Sequence, residues 1–185
     1  MLLALIVSAS AYTPVDGLDL SNKSEVISAK FTDGVELRYQ VSQSASPETA
    51  HLSKEMMSKA VGIATVSSMF EIQKLTPLKY QCDRGNLLEI FEISEKDLND
   101  PSRFPKQYIY DPEKGQGPLW GYYDPRPYED KVDSIVISNH GDQQNYRIMV
   151  HEIAHYWYSA YCLERYSSMT SEQFATKIAG ESTWP

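Results

Sequence analysis

Residues 148–162, IMVHEIAHYWYSAYC, place two histidines four positions apart in an otherwise apolar stretch, with a glutamate directly after the first. This spacing predicts a helix over residues 142–161, since neighbouring residues of an α-helix are about 100° apart and residues four apart share a face. His151 and His155 would then project from the same side. The composition of the chain predicts only roughly 0.006 chance matches to His-Glu-x-x-His, so coincidence is a poor explanation of the pattern.

Two imidazoles four residues apart on a helix can bind one metal ion, and Zn²⁺ is the ion that this arrangement suits. Glu152 would lie beside the metal rather than on it, where a carboxylate can take a proton from water and return it to a leaving amine. The alternative is that His151 and His155 are hydrogen-bonded histidines of an ordinary helix and that Glu152 is solvated.

Composition narrows the class of protein. A chain of 185 residues with 42% hydrophobic and 23% charged residues is typical of one globular domain. The formal charge of −8 and the absence of any cluster of lysines and arginines argue against a nucleic-acid partner.

The amino terminus, MLLALIVSASAYT, has an apolar run that is too short to span a membrane and ends in Ala-Ser-Ala. We expect residues 1–11 to be a signal peptide and residues 12–185 to form the single mature domain, secreted or periplasmic, without an integral membrane span. A first buried strand is the alternative for the apolar run. Cys82 and Cys162 could form one disulfide in an oxidising compartment or be two small buried hydrophobes.

The remaining patterns predict three strands, a short additional strand within a loop and two more helices. Strands are expected over residues 34–42, 86–94 and 131–139, and the proline-rich segment 101–130 is expected to be mostly loop, with a short strand at Gln107 to Tyr110. A long helix is expected over residues 46–75, capped by Ser46 or Thr49, with Leu52, Met56, Ala60, Ile63 and Phe70 on its apolar face. Asp142 is positioned to cap the histidine helix, and Thr170 or Ser171 to cap a short final one.

The stretch HEIAHYW resembles the zincin metallopeptidases. Tyr158 and Tyr161 stand where the metzincin branch has glycine and a third histidine, so that branch does not fit. The gluzincin branch takes its third zinc ligand from a glutamate on a following helix. The stretch SEQFATKIAG is similar to the Glu-Gly-Phe/Leu-Ala segment that carries this ligand, with Gln173 in place of the glycine. The resemblance implies Glu172 as the third ligand and leaves Glu181 in reserve, whereas Glu164 would face away from the metal.

The resemblance also implies an α+β fold: a minimal zincin-like domain with a small mixed sheet, a long amino-terminal helix, an active-site helix and a short carboxy-terminal helix. In such domains an edge strand beside the active-site helix holds the substrate by main-chain hydrogen bonds. Residues 131–138 are expected to be that strand. A tyrosine or histidine near the developing oxyanion is also implied. Tyr161 and Tyr166 are the foremost candidates, with Tyr156 and His140 as further ones.

The predicted function is zinc-dependent hydrolysis of a peptide or protein substrate, with His151, His155 and Glu172 as metal ligands and Glu152 as general base and acid. The first alternative is a zinc-binding or protein-interaction module of the same fold without catalysis, which would use the aromatic segment 118–128 for recognition. The second is a globular protein without a metal. Oligomeric state and specificity are not predicted by the sequence.

Overall fold

The computed structural model describes residues 27–30, 36–41, 52–75, 87–100, 118–124 and 133–181. The elements in chain order are β1 (Ile27–Lys30), β2 (Glu36–Val41), α1 (Lys54–Leu75), β3 (Leu87–Glu92), α2 (Glu95–Leu98), β4 (Gly121–Asp124), β5 (Asp133–Ile137), α3 (Asp142–Ala160), a 3₁₀ turn (Leu163–Arg165) and α4 (Ser171–Glu181). The predicted signal peptide, the strand at Gln107 to Tyr110 and the caps Ser46 and Thr49 lie outside the described residues.

The five strands form one mixed sheet in the order β1-β2-β3-β5-β4. Strands β2, β3 and β5 run parallel to one another, while β1 and β4 run antiparallel to their neighbours. All three predicted strands are present, and the predicted α+β class is confirmed. The order of the elements explains the mixture: α1 lies between the parallel strands β2 and β3, whereas the antiparallel β4 and β5 follow one another along the chain, and parallel neighbours need a crossover while antiparallel ones do not.

The prediction that residues 131–138 form the edge strand is wrong. Strand β5 lies between β3 and β4, and all five of its residues are buried. The edge strand next to β5 is β4, a four-residue strand inside the segment that was expected to be mostly loop. A strand with neighbours on both sides and packed layers on both faces excludes water from every position, which explains why Asp133 and Ser134 are buried there with the apolar residues.

The sheet separates two layers of apolar side chains. On one face Leu88, Ile90 and Ile135 pack with α1, α3 and α4 in the main core. On the other face Phe91 and Val136 form a smaller cluster with Leu98 of α2. This division follows from the two-residue period of a strand, because neighbouring residues point to opposite faces. It places the three long helices on a single side of the sheet.

Helix α1 begins later and faces a different direction than predicted. The Ser53 hydroxyl accepts a hydrogen bond from the Met56 N–H at 3.1 Å, as an N-cap residue does. Of the five residues assigned to the apolar face, Leu52, Met56 and Ala60 are buried, but Ile63 and Phe70 are 42% and 62% exposed, so that part of the prediction is wrong. The buried stripe continues instead through small residues, which allow α1 to pack closely on α3. This stripe includes Ala60, Ala64 and Ser68.

Helix α3 is buried on most of its surface and begins at Gly141 rather than at a side-chain cap. The predicted cap, Asp142, is the first helical residue, and no side chain caps this end. Gly141 has a φ of 86°, a backbone conformation that glycine adopts far more readily than other residues. The fully buried Asn145 stabilises the turn instead, because its amide accepts from the His140 N–H at 2.8 Å and donates to Asn139 Oδ1 at 2.8 Å.

Helix α4 closes the helical layer. Phe174, Ala175 and Ile178 are fully buried against the core. The carboxylate of Glu71, near the end of α1, contacts Lys74 on its own helix and Lys177 of α4, with oxygen to nitrogen distances of 2.5 and 2.6 Å. Both lysines hold the pKa of Glu71 below its usual value. Among the helices that the structure describes, none has the length and apolar character to cross a membrane.

Candidate metal centre

The two motif histidines meet on the outer face of α3. Their Nε2 atoms lie 3.1 Å apart, and their side chains are 24% and 15% exposed for His151 and His155. The one-turn spacing of the motif therefore produces the convergence that it predicts. Because both nitrogens lie on one side of a well-packed helix, little further movement is needed for both to reach a single ion.

Glu172 supplies a third donor from the first turn of α4. One carboxylate oxygen lies 3.4 Å from His151 Nε2 and the other lies 3.3 Å from His155 Nε2. Among the described residues, this is the one group of three or more side chains of metal-ligating type in which the donor atoms lie within 4.8 Å of one another. The structure thus brings together the three residues that the sequence and its resemblance proposed as ligands.

These distances suit zinc. Donor atoms at about 2.0–2.1 Å from a tetrahedral ion are roughly 3.3 Å apart. The two histidine nitrogens are 3.1 Å apart, and each lies 3.3 or 3.4 Å from a different oxygen of the Glu172 carboxylate. Two imidazoles and one carboxylate also form a donor set of catalytic zinc sites, whereas Mg²⁺ and Ca²⁺ prefer oxygen donors. Zn²⁺ therefore fits both the geometry and the chemistry of His151, His155 and Glu172.

The hydroxyl of Ser171 orients one of the histidines. Ser171 Oγ lies 2.7 Å from Nδ1 of His155. When Nδ1 donates to this hydroxyl, Nε2 carries the lone pair and faces the other two donors. A hydrogen bond on the second ring nitrogen is what fixes the ring and tautomer of metal-binding histidines. Burial, with the neighbouring His151, also lowers the pKa of His155 well below its usual value, so the ring is neutral at neutral pH.

The start of α4 explains why glutamine follows Glu172. The Thr170 hydroxyl accepts from the Gln173 N–H at 3.2 Å, and the Gln173 side chain accepts from the Thr170 N–H at 2.9 Å. This reciprocal pair is a capping box, in which Thr170 is the cap. Of the two predicted caps, Thr170 has that role, while Ser171 bonds to His155. The Gln173 side chain, at the position where the resemblance implies a glycine, closes the start of α4.

Glu152 is the buried carboxylate of the centre. It is 6% exposed, and burial, together with the negative charge of Glu172, raises its pKa to about 8. A hydrogen bond from the main-chain N–H of Tyr123 acts in the opposite direction. A carboxyl group whose pKa lies near neutrality can both accept and release a proton, which is the property required of a general base and acid.

A groove of about 310 Å³ leads to Glu152 and His151. One wall is the start of β4 with the residues before it, and the other is α3. The close approach of these walls requires Gly121, because a Cβ atom there would lie 2.6 Å from Cγ2 of Ile148 and 3.7 Å from Cγ of Glu152. A side chain at this position would push the strand away from the helix.

The other residues considered from the sequence belong neither to the donor group nor to the lining of the groove in the described part of the chain. Tyr161 is buried and packs on Trp157. Because the Trp157 indole donates to Thr65 of α1, Tyr161 belongs to the interface between α3 and α1. Tyr166 is 42% exposed at the end of the 3₁₀ turn. Tyr156 and His140 also have other neighbours: Tyr156 packs edge-on against Trp157, and His140 packs against Trp120. Glu164 is exposed, and the side chain of Glu181 lies outside the described residues.

Three residues at the centre were not identified from the sequence. Tyr123 donates to Glu152 through its backbone, its ring lies parallel to that of His155 with centroids 6.3 Å apart, and its hydroxyl donates to Asp133 at 2.9 Å. Ser171 was considered only as a helix cap. The one indication for Gly121 and Tyr123 was the short aromatic sequence Gly-Tyr-Tyr-Asp between two prolines.

Cys162 follows α3 directly, in a left-handed backbone conformation with a φ of 52°. It is disulfide-bonded rather than free. The other cysteine of the sequence, Cys82, lies outside the described residues. The alternative in which Cys162 is a small buried hydrophobe with a free thiol does not hold.

Comparisons of the chain with protein-family models, with curated proteins and with solved structures found no match.

Proposed function

We propose that the protein is a zinc-dependent peptidase of the gluzincin type, with a minimal zincin-like domain. The observation that carries this proposal is the convergence of His151, His155 and Glu172 beside a buried Glu152 at the end of a groove. A structural zinc site needs no fourth open position and no proton carrier. Here the third ligand is 70% exposed, and the adjacent carboxyl has a pKa near neutrality, which favours a catalytic site.

Zinc held by these three side chains would supply Lewis acidity, making water acidic enough to attack near neutral pH and polarising the carbonyl of the scissile peptide bond. Glu152 takes the proton from the attacking water and passes it to the nitrogen of the leaving amine. The Tyr123 N–H holds the Glu152 carboxylate in place and stabilises its ionised form. Ser171 keeps the His155 ring in the orientation that presents Nε2.

The edge strand supports a peptide as the substrate. The Trp120 carbonyl accepts from the Ser138 N–H at 2.9 Å, so residue 120 directs its main-chain groups toward the β5 side. Because this direction alternates along an antiparallel strand, Gly121 and Tyr123 direct theirs away from β5. The Tyr123 N–H does so in its bond to Glu152. An extended peptide could pair with this edge and pass the metal centre.

A disulfide at Cys162 supports placing the protein in an oxidising compartment, either secreted or periplasmic. This location agrees with a signal peptide over residues 1–11. The mass of the exported protein gives its first residue. A first residue before residue 12 would contradict the proposed signal peptide.

The decisive experiment measures zinc and turnover on the same preparations. We expect one zinc per chain in the wild type, loss of zinc in His155→Ala and weakened zinc binding in Glu172→Ala. Glu152→Gln should keep zinc and lose turnover by about 10²-fold or more. The matched control is Glu164→Gln, which changes an exposed glutamate outside the donor group and should behave as the wild type.

Two results would contradict the proposal. If folded wild type supplied with zinc binds none, the metal-free alternative replaces it. If Glu152→Gln hydrolyses peptides as fast as the wild type, Glu152 is not the proton carrier, and a zinc-binding interaction module becomes the better interpretation.

A further inference from the structure

The groove contains an arginine without a partner. Arg147 lies four residues before His151, on the same face of α3, and it lines the groove. The Arg147 side chain makes no hydrogen bond or ion pair with any part of the chain that the structure describes. Like Arg147, Arg165 is exposed and makes no such contact with the described residues, but it lies outside the groove, whereas Lys59, Lys74 and Lys177 each contact a glutamate.

The position of the Arg147 guanidinium, in the groove that leads to Glu152 and His151, points to a ligand. The chain has 25 acidic residues against 17 lysines and arginines, so an intramolecular carboxylate partner would be easy to supply. Arg147 is the one lysine or arginine among the described residues that line the groove, and it places a positive charge there in an acidic protein. The planar guanidinium binds a carboxylate through two parallel hydrogen bonds, a geometry that lysine cannot reproduce.

The opposite wall of the groove is apolar. Pro118, Leu119 and Trp120 precede the edge strand there, and Trp120 is 40% exposed. Ile148 and Ala179 complete the apolar lining. A ligand that fills this groove should therefore combine an apolar side chain with a carboxylate.

The helix spacing gives the distance between the carboxylate and the reacting bond. Four residues of α-helix separate Arg147 from His151 by about 6 Å along the axis. An extended peptide advances about 3.3 Å per residue. The carboxylate that meets Arg147 should therefore lie about two residues from the scissile bond.

We infer that the groove selects peptides with a carboxylate about two residues from the cleaved bond and that Arg147 is the residue that recognises it. This inference rests on the proposed peptidase function. The carboxylate could belong to an aspartate or glutamate side chain or to the carboxyl terminus of a short peptide, and the recognition chemistry is the same for both. Arg147 is then a specificity residue that contacts the substrate outside the metal ligands.

The test uses internally quenched peptides with a central Ala-Leu bond. One position at a time, up to three residues on either side, carries Asp, Asn or Lys, and each peptide is made with a free and an amidated carboxyl terminus. Values of kcat/KM are measured for the zinc-loaded wild type, Arg147→Gln, Arg147→Glu and the control Arg165→Gln, which removes an exposed arginine outside the groove.

We expect the wild type to prefer Asp over Asn by about 10- to 100-fold at one position, mainly through KM. Arg147→Gln should remove this preference, Arg147→Glu should shift it toward Lys, and Arg165→Gln should retain it. A preference for the free over the amidated terminus, lost in Arg147→Gln, would assign the carboxylate to the chain end. Equal rates for all peptides, or a preference that Arg147→Gln keeps, would overturn the inference.

Failure of the peptidase function can be recognised separately. Binding of the same peptides, labelled with a fluorophore, is measured by polarisation on zinc-loaded Glu152→Gln with and without Arg147→Gln. If the wild type hydrolyses no peptide but carboxylate peptides bind about 10-fold more tightly when Arg147 is present, the groove assignment holds and the peptidase proposal fails. If binding does not depend on the carboxylate either, the inference fails as well.

Discussion

The candidate metal centre has an inner and an outer half that are held in different ways. The inner half, His151, Glu152 and His155, lies on α3, a helix that is packed on nearly all sides and touches both α1 and the edge strand. The outer half, Ser171 and Glu172, lies on the first turn of α4, where the Glu172 side chain is 70% exposed. The inner half is part of the hydrophobic core, whereas the outer half lies on a short helix that packs against that core.

This difference implies that stability and metal affinity depend on different residues. Changes near the inner half disturb packing that also holds the sheet and helices together. Changes in the outer half act on a short helix held by its capping box, by three core residues and by the contact between Glu71 and Lys177. Changes to the packing around the inner half should therefore lower the stability of the whole protein, whereas changes in the outer half should weaken the candidate metal site while the fold persists.

The largest effect is expected for Gly121→Ala, which attacks the inner half where β4 meets Glu152. The new methyl group would clash with Ile148, a branched side chain that has little room to move. We expect the free energy of unfolding to fall by about 2–3 kcal/mol, with loss of turnover because the strand moves away from Glu152. Urea denaturation and peptide hydrolysis measure both quantities.

Gly62→Ala is the matched control for Gly121→Ala. Nothing lies within 4 Å of the added atom, and the position is inside α1, where alanine favours the helix over glycine by about 0.5–1 kcal/mol. The control should be slightly stabilised and fully active. If Gly121→Ala is as stable as Gly62→Ala, the inner half is not held by close packing, and the proposed difference between the inner and outer halves is wrong.

The inner half was also the more predictable one. The spacing of His151 and His155 is local, and a helix of about 3.6 residues per turn brings them together whatever the rest of the chain does. The three parallel strands were evident from composition and alternation for the same reason. Glu172 was reached only through the resemblance, because its position depends on how the segment between α3 and α4 folds back.

What the sequence did not indicate depends on contacts between distant segments. Four residues of β4 between two prolines carry too short a pattern to identify a strand, and that pattern cannot show which strand lies at the edge. The outward position of Ile63 and Phe70 has a similar cause. Helical spacing permits two apolar faces on α1, and packing against α3 decides which of them is buried. Thr170 and Ser171 are adjacent hydroxyl residues, so only the structure separates the cap from the partner of His155.

The next largest effect tests how the outer half is attached. Lys177→Met leaves the buried Glu71 with one lysine instead of two, and we expect a loss of stability of about 1–2 kcal/mol, because Lys177 is itself partly exposed. Zinc affinity should fall by less than 10-fold, since α4 keeps its capping box and core residues. Thermal denaturation and zinc titration give both values. Lys59→Met, which removes an exposed pair with Glu55, should leave the stability nearly unchanged, because exposed ion pairs contribute little.

The same contact predicts a dependence on acid. The lysines lower the pKa of Glu71 in the folded protein below the ordinary value of 4.5. The folded state therefore binds fewer protons than the unfolded state, and the contribution of Glu71 is present above pH 4.5 and lost as pH falls through the lowered pKa. In Glu71→Gln this part of the acid loss should be absent, although the variant is less stable at pH 7. An acid denaturation slope that Glu71→Gln leaves unchanged would contradict the assignment.

The smallest effect on stability separates two adjacent hydroxyls of the outer half. Ser171→Ala removes the partner of His155 Nδ1 and should lower zinc affinity by about 10-fold or more, with stability nearly unchanged, because the capping box remains. Thr170→Ala removes the cap and should cost about 1 kcal/mol. Zinc titration beside urea denaturation distinguishes them. If Ser171→Ala destabilises the protein as much as Thr170→Ala and keeps its zinc affinity, Ser171 supports the helix and not the metal site.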